Sequence, residues 1–203
     1  MIDRRQFTQT GLAAAGFGFT NGFSTLAHAA EINEDGLHVQ PWFLDSFLDL
    51  RDDLSEATEA NKRLIVLWEQ RGCPYCRELH NVNFTDKKIV DYVTSNFTVL
   101  QLNLWGSREV TDFDGKTMGE REMARRWGVN FTPTIMFLND KGQADKTARD
   151  LEVARMPGYF KPFHFISMLE FVQTKSYEKQ GFQRFLQDKF ARLKAEGKDP
   201  NVW

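Results

Sequence analysis

Two cysteines, Cys73 and Cys76, stand in a Cys-x-x-Cys spacing, and the 203-residue sequence holds no other. Such a pair can exchange disulfides, because one thiolate attacks a disulfide sulfur and the neighbouring thiol then resolves the mixed disulfide. A short apolar run at 64–68 precedes the pair, and a helix is predicted to begin at it. The free N–H groups and the dipole of a helix N-terminus stabilise a thiolate. We therefore predict that Cys73 attacks, that Cys76 resolves, and that Pro74 stiffens the first turn.

Other uses of the pair fit its surroundings less well. A c-type haem site needs histidine directly after the second cysteine, where Arg77 stands. A metal site could recruit His80, one helical turn after Cys76, but finds no fourth ligand nearby. A static disulfide that closes a four-residue loop removes little entropy from the unfolded chain. Redox exchange is favoured, and a non-enzymatic Cu(I) carrier that uses the two cysteines, with or without His80, stays open as the alternative.

Strands and helices alternate around the pair. Strands are predicted at 64–68, 97–105 and 134–138, with a hairpin partner near 151–156. Helices are predicted at 41–61, 73–83, 85–96, 117–127, 162–173 and 177–193, where the fourth begins with a capping box at Thr117 and Glu120. A polar loop is expected at 106–116 and a turn at 139–142. Strands separated by helices predict an α/β fold with parallel pairs and one antiparallel hairpin.

The composition excludes several classes of protein. There are 26 basic and 28 acidic residues, for a net charge of −2, so no basic surface indicates a nucleic-acid partner. No apolar stretch approaches the roughly 18 residues of a spanning helix, so we expect no membrane insertion. The hydrophobic share of 41% suffices for a folded core.

The N-terminus has the layout of an export signal. An Arg-Arg-x-Phe motif lies at 4–7, a Gly- and Ala-rich apolar stretch at 11–19, and an Ala-x-Ala cleavage pattern at 27–29. We predict a cleavable signal peptide over 1–29, of the twin-arginine type, and a periplasmic domain over 30–203. In that oxidising compartment a cysteine pair can cycle.

The Cys-Pro-Tyr-Cys motif at 73–76, with Thr132-Pro133 opening a later strand, resembles the thioredoxin superfamily. The resemblance implies a thioredoxin-like fold, in which a central mixed sheet is flanked by helices and extra helices lie at both ends. It also implies that Pro133 is cis and faces the cysteines, and that the Thr132 backbone pairs with a client segment as an added strand. Pro74 and Tyr75 are then expected to contact the substrate.

Over about 41–190 the chain is similar to periplasmic thioredoxin-related proteins of the SoxW-like type. The similarity rests on the residues around the cysteines at 69–76, the loop at 110–115, the Thr-Pro-Thr segment at 132–134, and the segment at 155–159. It implies a reductase of protein disulfides that serves sulfur oxidation or cytochrome c maturation, with electrons from a membrane thiol carrier of the CcdA or DsbD kind. No cofactor or metal is expected. A Dsb-type dithiol oxidase or isomerase is the alternative direction.

Glu69 is the candidate proton relay. Thioredoxin carries a buried aspartate six residues before its first cysteine, where Leu67 stands here. Glu69 shares the strand face of Leu67, because side chains alternate with period two. We therefore expect Glu69 to move the proton of the Cys76 thiol. The alternative is a carboxylate that points to solvent at the end of the strand.

Overall fold

The computed structural model describes residues 31–139, 146–198 and 200. The predicted signal peptide at 1–29 and positions 140–142 of the predicted turn lie outside these residues. Within the described residues, no helix combines the length and the apolar character needed to cross a membrane.

The described chain forms eight strands and seven α-helices. The strands are β1 (Glu31–Ile32), β2 (His38–Val39), β3 (Arg63–Glu69), β4 (Phe97–Asn103), β5 (Glu109–Thr111), β6 (Thr117–Gly119), β7 (Thr134–Leu138) and β8 (Glu152–Pro157). The α-helices are α1 (Leu50–Glu59), α2 (Pro74–Val82), α3 (Lys87–Asn96), α4 (Glu120–Arg126), α5 (Ala148–Leu151), α6 (Pro162–Gln173) and α7 (Phe182–Ala195). Short 3₁₀ turns lie at Asn83–Thr85 and Ser176–Glu178.

Four strands form the central sheet in the order β4-β3-β7-β8. β3 runs parallel to β4 and antiparallel to β7, and β7 pairs antiparallel with β8. All seven residues of β3 are buried, because helices cover both faces of the sheet. On one face Val66 and Trp68 pack in the same cluster as residues of α1 and α4. On the other face Ile65 and Leu67 pack in the same cluster as residues of α2, α3 and α6.

The predicted helix at 41–61 is wrong in its first half, since α1 begins only at Leu50. Leu48 has φ 64°, a left-handed conformation that a right-handed helix does not contain. The carboxylate of Asp49 then accepts a hydrogen bond from the Arg51 backbone N–H and caps the helix. The preceding segment follows the edge of β4 instead, where the Leu44 N–H donates to the carbonyl oxygen of Val99 at 2.8 Å.

The predicted loop at 106–116 and the capping box at Thr117 also need correction. β5 and β6 form a small antiparallel hairpin, so Thr117 lies in a strand and Gly119 is the N-cap of α4. A capping box would require the Glu120 side chain to accept from the Thr117 backbone N–H. Instead, this buried side chain accepts from the Asn103 backbone N–H and from Arg108. Near the C-terminus, the helix predicted from 177 begins at Phe182, after the second 3₁₀ turn.

Candidate active site

The two cysteines lie where β3 passes into α2. A positive φ of 72° at Gly72 makes the turn, and glycine tolerates this conformation because it has no Cβ. Cys73 is the N-cap of α2, and its Sγ accepts from the Cys76 backbone N–H at 3.0 Å. Pro74 occupies the first turn, where a missing N–H leaves no helical hydrogen bond unmade.

A disulfide joins Cys73 and Cys76, so the structure shows the oxidised form of the pair. Both side chains are nearly buried, and Cys73 is the more accessible, at 5% exposure against 1% for Cys76. This order agrees with the roles predicted from the sequence, in which the outer sulfur meets the client and the inner one resolves. The exchange itself stays a prediction.

The Thr132–Pro133 segment lies against the disulfide. Its peptide bond is cis, as the resemblance implied. The Thr132 carbonyl oxygen lies 3.6 Å from Cys73 Sγ. The Pro133 carbonyl oxygen accepts from the Gly158 N–H at 2.8 Å, which ties the segment to the end of β8. The structure therefore brings Thr132 and Pro133 beside Cys73, although the positions are about sixty residues apart in sequence.

Three aromatic side chains on segments next to the disulfide are exposed. Tyr75 follows Pro74 in α2 and is 61% exposed, and Phe131 precedes Thr132 and is 53% exposed. Trp105, also exposed, donates from Nε1 to Gln70 Oε1 at 2.8 Å, three residues before Cys73. Sequence reasoning named Tyr75 as a substrate contact but gave no such role to Trp105, the last residue of the predicted strand at 97–105, or to Phe131, next to Thr132.

Glu69 does not face solvent, so that alternative is wrong. Its side chain is fully buried at the end of β3. Oε2 accepts from His80 Nε2 at 3.1 Å and from the amide of Gln101 on β4. Oε1 is buried and has no hydrogen-bond partner. The end of β3 thus carries a buried carboxyl group with one oxygen occupied and the other free.

His80 joins this buried group from α2. Its Nδ1 lies 3.1 Å from Gln40 Nε2, and its Nε2 faces Glu69, so both ring nitrogens have partners. His80 is thus held by buried hydrogen-bond partners on both sides of its ring, Gln40 and Glu69. In the described parts of the chain, no group of three or more His, Cys, Asp or Glu side chains is arranged to hold a metal ion.

His38 lies next to His80, with the centroids of the two rings 5.4 Å apart. Burial lowers the pKa of His38, and His80 and Arg77 add to this while Glu69 opposes it. The rings of Phe43 and Phe84 pack edge-on against His80 and keep the surroundings apolar. Sequence reasoning missed this environment altogether.

Comparison with known proteins gives one family match. A family model described as a thioredoxin-like domain matches residues 50–173. The match and the structure together confirm the predicted thioredoxin-like fold, a mixed central sheet flanked by helices, and the structure adds α7 beyond the matched residues. No curated protein matches the sequence.

Several solved structures are similar. A thioredoxin-fold protein from Helicobacter pylori is 25% identical with a TM-score of 0.48, and the match covers 65% of this chain and 81% of that one. A thioredoxin from Thermus thermophilus is 23% identical with a TM-score of 0.48, covering 61% and 83%. The oxidised C-terminal domain of DsbD from Neisseria meningitidis is 13% identical with a TM-score of 0.41, covering 60% and 90%.

Proposed function

Because this chain belongs to the family of thioredoxin-like domains, we propose that it is a thiol–disulfide oxidoreductase that reduces disulfides of client proteins. The observation that carries the proposal is the redox-capable pair at the N-terminus of α2, with Cys73 Sγ 3.6 Å from the Thr132 carbonyl oxygen. A helix N-terminus favours the thiolate form of its N-cap cysteine, and the thiolate is the nucleophile.

The proposed reaction begins with the reduced pair. The Cys73 thiolate attacks one sulfur of a client disulfide, a Cys73–client bond forms, and the other client sulfur leaves as a thiolate that takes up a proton. Cys76 then loses its proton and attacks Cys73 Sγ. The Cys73–Cys76 disulfide forms and the second client sulfur leaves. Two electrons have passed from the pair to the client.

The client is proposed to lie across the exposed aromatic side chains beside the disulfide. An extended segment could pair with the Thr132 backbone as an added strand, with Pro133 beside the reacting sulfurs. Tyr75 and Pro74 would contact the segment from the α2 side. Extended backbone pairing is tolerant of sequence, which suits an enzyme that reduces more than one client.

Resolution requires a group that accepts the proton of Cys76, and we assign that role to Glu69. Glu69 and Cys76 are both buried, and the hydrogen bond from His80 places the carboxyl group against α2. Its Oε1 has no other partner and can accept a proton.

We also propose a periplasmic location and a membrane partner. The support is the export-like layout of 1–29 and the resemblance to SoxW-like proteins, whose clients would act in sulfur oxidation or cytochrome c maturation. Cys73 and Cys76 are the two cysteines of these 203 residues, so the disulfide formed in each turnover needs a reductant from outside them. A membrane thiol carrier of the CcdA or DsbD kind fits that requirement.

Insulin reduction tests the proposed activity. The wild-type protein, kept reduced by dithiothreitol, should accelerate precipitation of the insulin B chain, and Cys73→Ser should abolish the acceleration. Stoichiometric Cu(I) binding without insulin reduction would instead support a copper carrier.

The equilibrium with glutathione tests the direction of electron flow. A potential near that of thioredoxin, about −270 mV, is expected for a reductase. A value near about −120 mV would contradict the reducing direction and support an oxidase.

A further inference from the structure

The hydrogen bonds of Glu69 and His80 indicate which ring nitrogen of His80 carries the proton. The amide nitrogen of Gln40 can only donate, so Nδ1 of His80 accepts. The proton of a neutral imidazole then lies on Nε2, which donates to Glu69 Oε2. The Gln101 amide donates to the same oxygen. Two N–H groups therefore donate to Glu69 Oε2, and none donates to Oε1.

The charged and titratable groups that face His80 agree with this assignment. Glu69 faces it from β3, His38 from β2, and Arg77 lies on α2 itself and acts on His38. The lowered pKa of His38 keeps that ring neutral at pH 7. A buried carboxylate is unstable unless hydrogen bonds compensate for lost water, so Glu69 depends on its two donors.

Glu69 and His80 lie on the side of α2 that carries Cys76. His80 follows Cys76 by four residues in α2, so the two side chains lie on the same face of the helix, and both are buried. That face packs on the side of β3 that carries Leu67 and Glu69. Glu69 and Cys76 are thus both buried on this side of β3, and Oε1 of Glu69 has no hydrogen-bond partner.

The first ten described residues, 31–40, form hydrogen bonds with His80, Gln101 and Arg71. Gln40 holds the outer nitrogen of His80. The carbonyl oxygen of His38 accepts from Gln101 Nε2 at 2.6 Å, so the Gln101 amide has one N–H for His38 and one for Glu69. Arg71, two residues before Cys73, donates to the carbonyl oxygens of Glu34 and Asp35. Both donors of Glu69 are thus themselves held by the segment 31–40.

We propose that His80 is a positioning residue for the resolving step. Its Nε2–H holds the Glu69 side chain in place, so that Oε1 takes the proton of Cys76, and Gln40 keeps His80 in the tautomer that donates. The proposal rests on the proposed function, because it concerns one step of that reaction. Without that donor, the buried side chain of Glu69 would lose one of the two hydrogen bonds that hold it.

Ellman's reagent separates the two steps in a stopped-flow experiment. Attack by Cys73 releases one thionitrobenzoate, and resolution by Cys76 releases the second from the Cys73 mixed disulfide. In His80→Phe we expect the second phase to slow about tenfold at pH 7 and its pH profile to move to higher pH. His80→Gln retains an N–H donor and should restore most of the rate. His164→Phe, on α6, is the matched control and should behave as the wild type.

A double-mutant comparison distinguishes positioning from a general structural defect. If His80 acts through Glu69, then His80→Phe should add no further slowing in a Glu69→Gln background. Full additivity would overturn the proposal, as would a wild-type pH profile of the second phase in His80→Phe. If His80→Phe does not fold by circular dichroism, Gln40→Leu carries the test, with a two- to threefold slowing expected and no change contradicting it. A wild type that releases no second thionitrobenzoate would contradict the proposed function itself.

Discussion

Asp53 and Glu69 are buried carboxyl groups on opposite faces of the central sheet, and their surroundings are opposite. On the face covered by α1, Asp53 is almost fully buried. Desolvation raises the pKa of Asp53 to about 6, and the charges of Glu56, Asp49 and Asp52 act in the same direction. The Ser46 hydroxyl, 2.7 and 2.8 Å from its two oxygens, opposes this only in part.

On the face covered by α2, Glu69 is surrounded by donors instead of acids. The imidazole of His80 and the amide of Gln101 both donate to one oxygen and leave the other free. The two carboxyl groups thus differ in their neighbours: Asp53 has a hydroxyl donor and three nearby acids, whereas Glu69 has two N–H donors on one oxygen.

The largest effect on stability is expected at Glu69. Glu69→Leu removes the acceptor of two buried donors, so the free energy of unfolding should fall by about 3 kcal/mol. Glu69→Gln keeps an acceptor oxygen and should lose only about 1 kcal/mol. Urea unfolding of the oxidised proteins at pH 7 measures both. Equal stability of Glu69→Leu and wild type would show that the donors do not depend on Glu69.

Ionisation of Asp53 should lower the free energy of unfolding, in contrast to the stabilising hydrogen bonds at Glu69. The folded protein binds the Asp53 proton more tightly than the unfolded chain, whose aspartates titrate near 3.8. This contribution to stability is therefore complete below about pH 4 and is lost as the pH rises through about 6. Asp53→Asn should raise the free energy of unfolding at pH 7.5 by about 2 kcal/mol and should flatten its decline between pH 5 and 7.

The exposed Asp52→Asn is the matched control for Asp53→Asn, because it removes an acidic charge from the same turn of α1 without changing a buried group. It should leave most of the decline in place. A decline that persists unchanged in Asp53→Asn would assign it to another group and would remove one side of the comparison.

The smallest effect is expected at Ser46. Ser46→Ala removes the hydroxyl donor to Asp53, so the free energy of unfolding at pH 7.5 should fall by about 1 kcal/mol. The loss should shrink below pH 5, where Asp53 is protonated in the folded protein. Thermal unfolding at both pH values measures it, with the exposed Ser55→Ala as control. A loss of the same size at both pH values would mean that Ser46 acts only through the Leu48 N–H that it also binds.

The reacting part of the site was predictable because its signals are local. The apolar run of β3, the cysteine spacing and the proline of α2 are neighbours in sequence, and the structure places them as predicted. The cis peptide before Pro133 could be anticipated only by resemblance, because an X–Pro bond in a folded protein is cis in only about 5–6% of cases.

The hydrogen-bonded cluster of Glu69 and its neighbours could not be predicted, because its four residues come from four separate segments of the chain. Gln40, Glu69, His80 and Gln101 meet only through the register of β3 with β4 and through the path of 31–40. The errors at 41–49 and at Thr117 have a related cause. Apolar spacing and a capping-box pattern predicted helices there, whereas a left-handed Leu48 and a small hairpin decided the local structure.

The most direct test of the proposed function is a Cys76→Ser trap. Without the resolving thiol, the Cys73–client disulfide should persist, and the tagged variant produced in the source organism should carry disulfide-linked proteins. These adducts should vanish on reduction and should be absent from the matched Cys73→Ser/Cys76→Ser double variant. Recovery of no adduct specific to Cys73 would contradict the claim that this protein exchanges disulfides with client proteins.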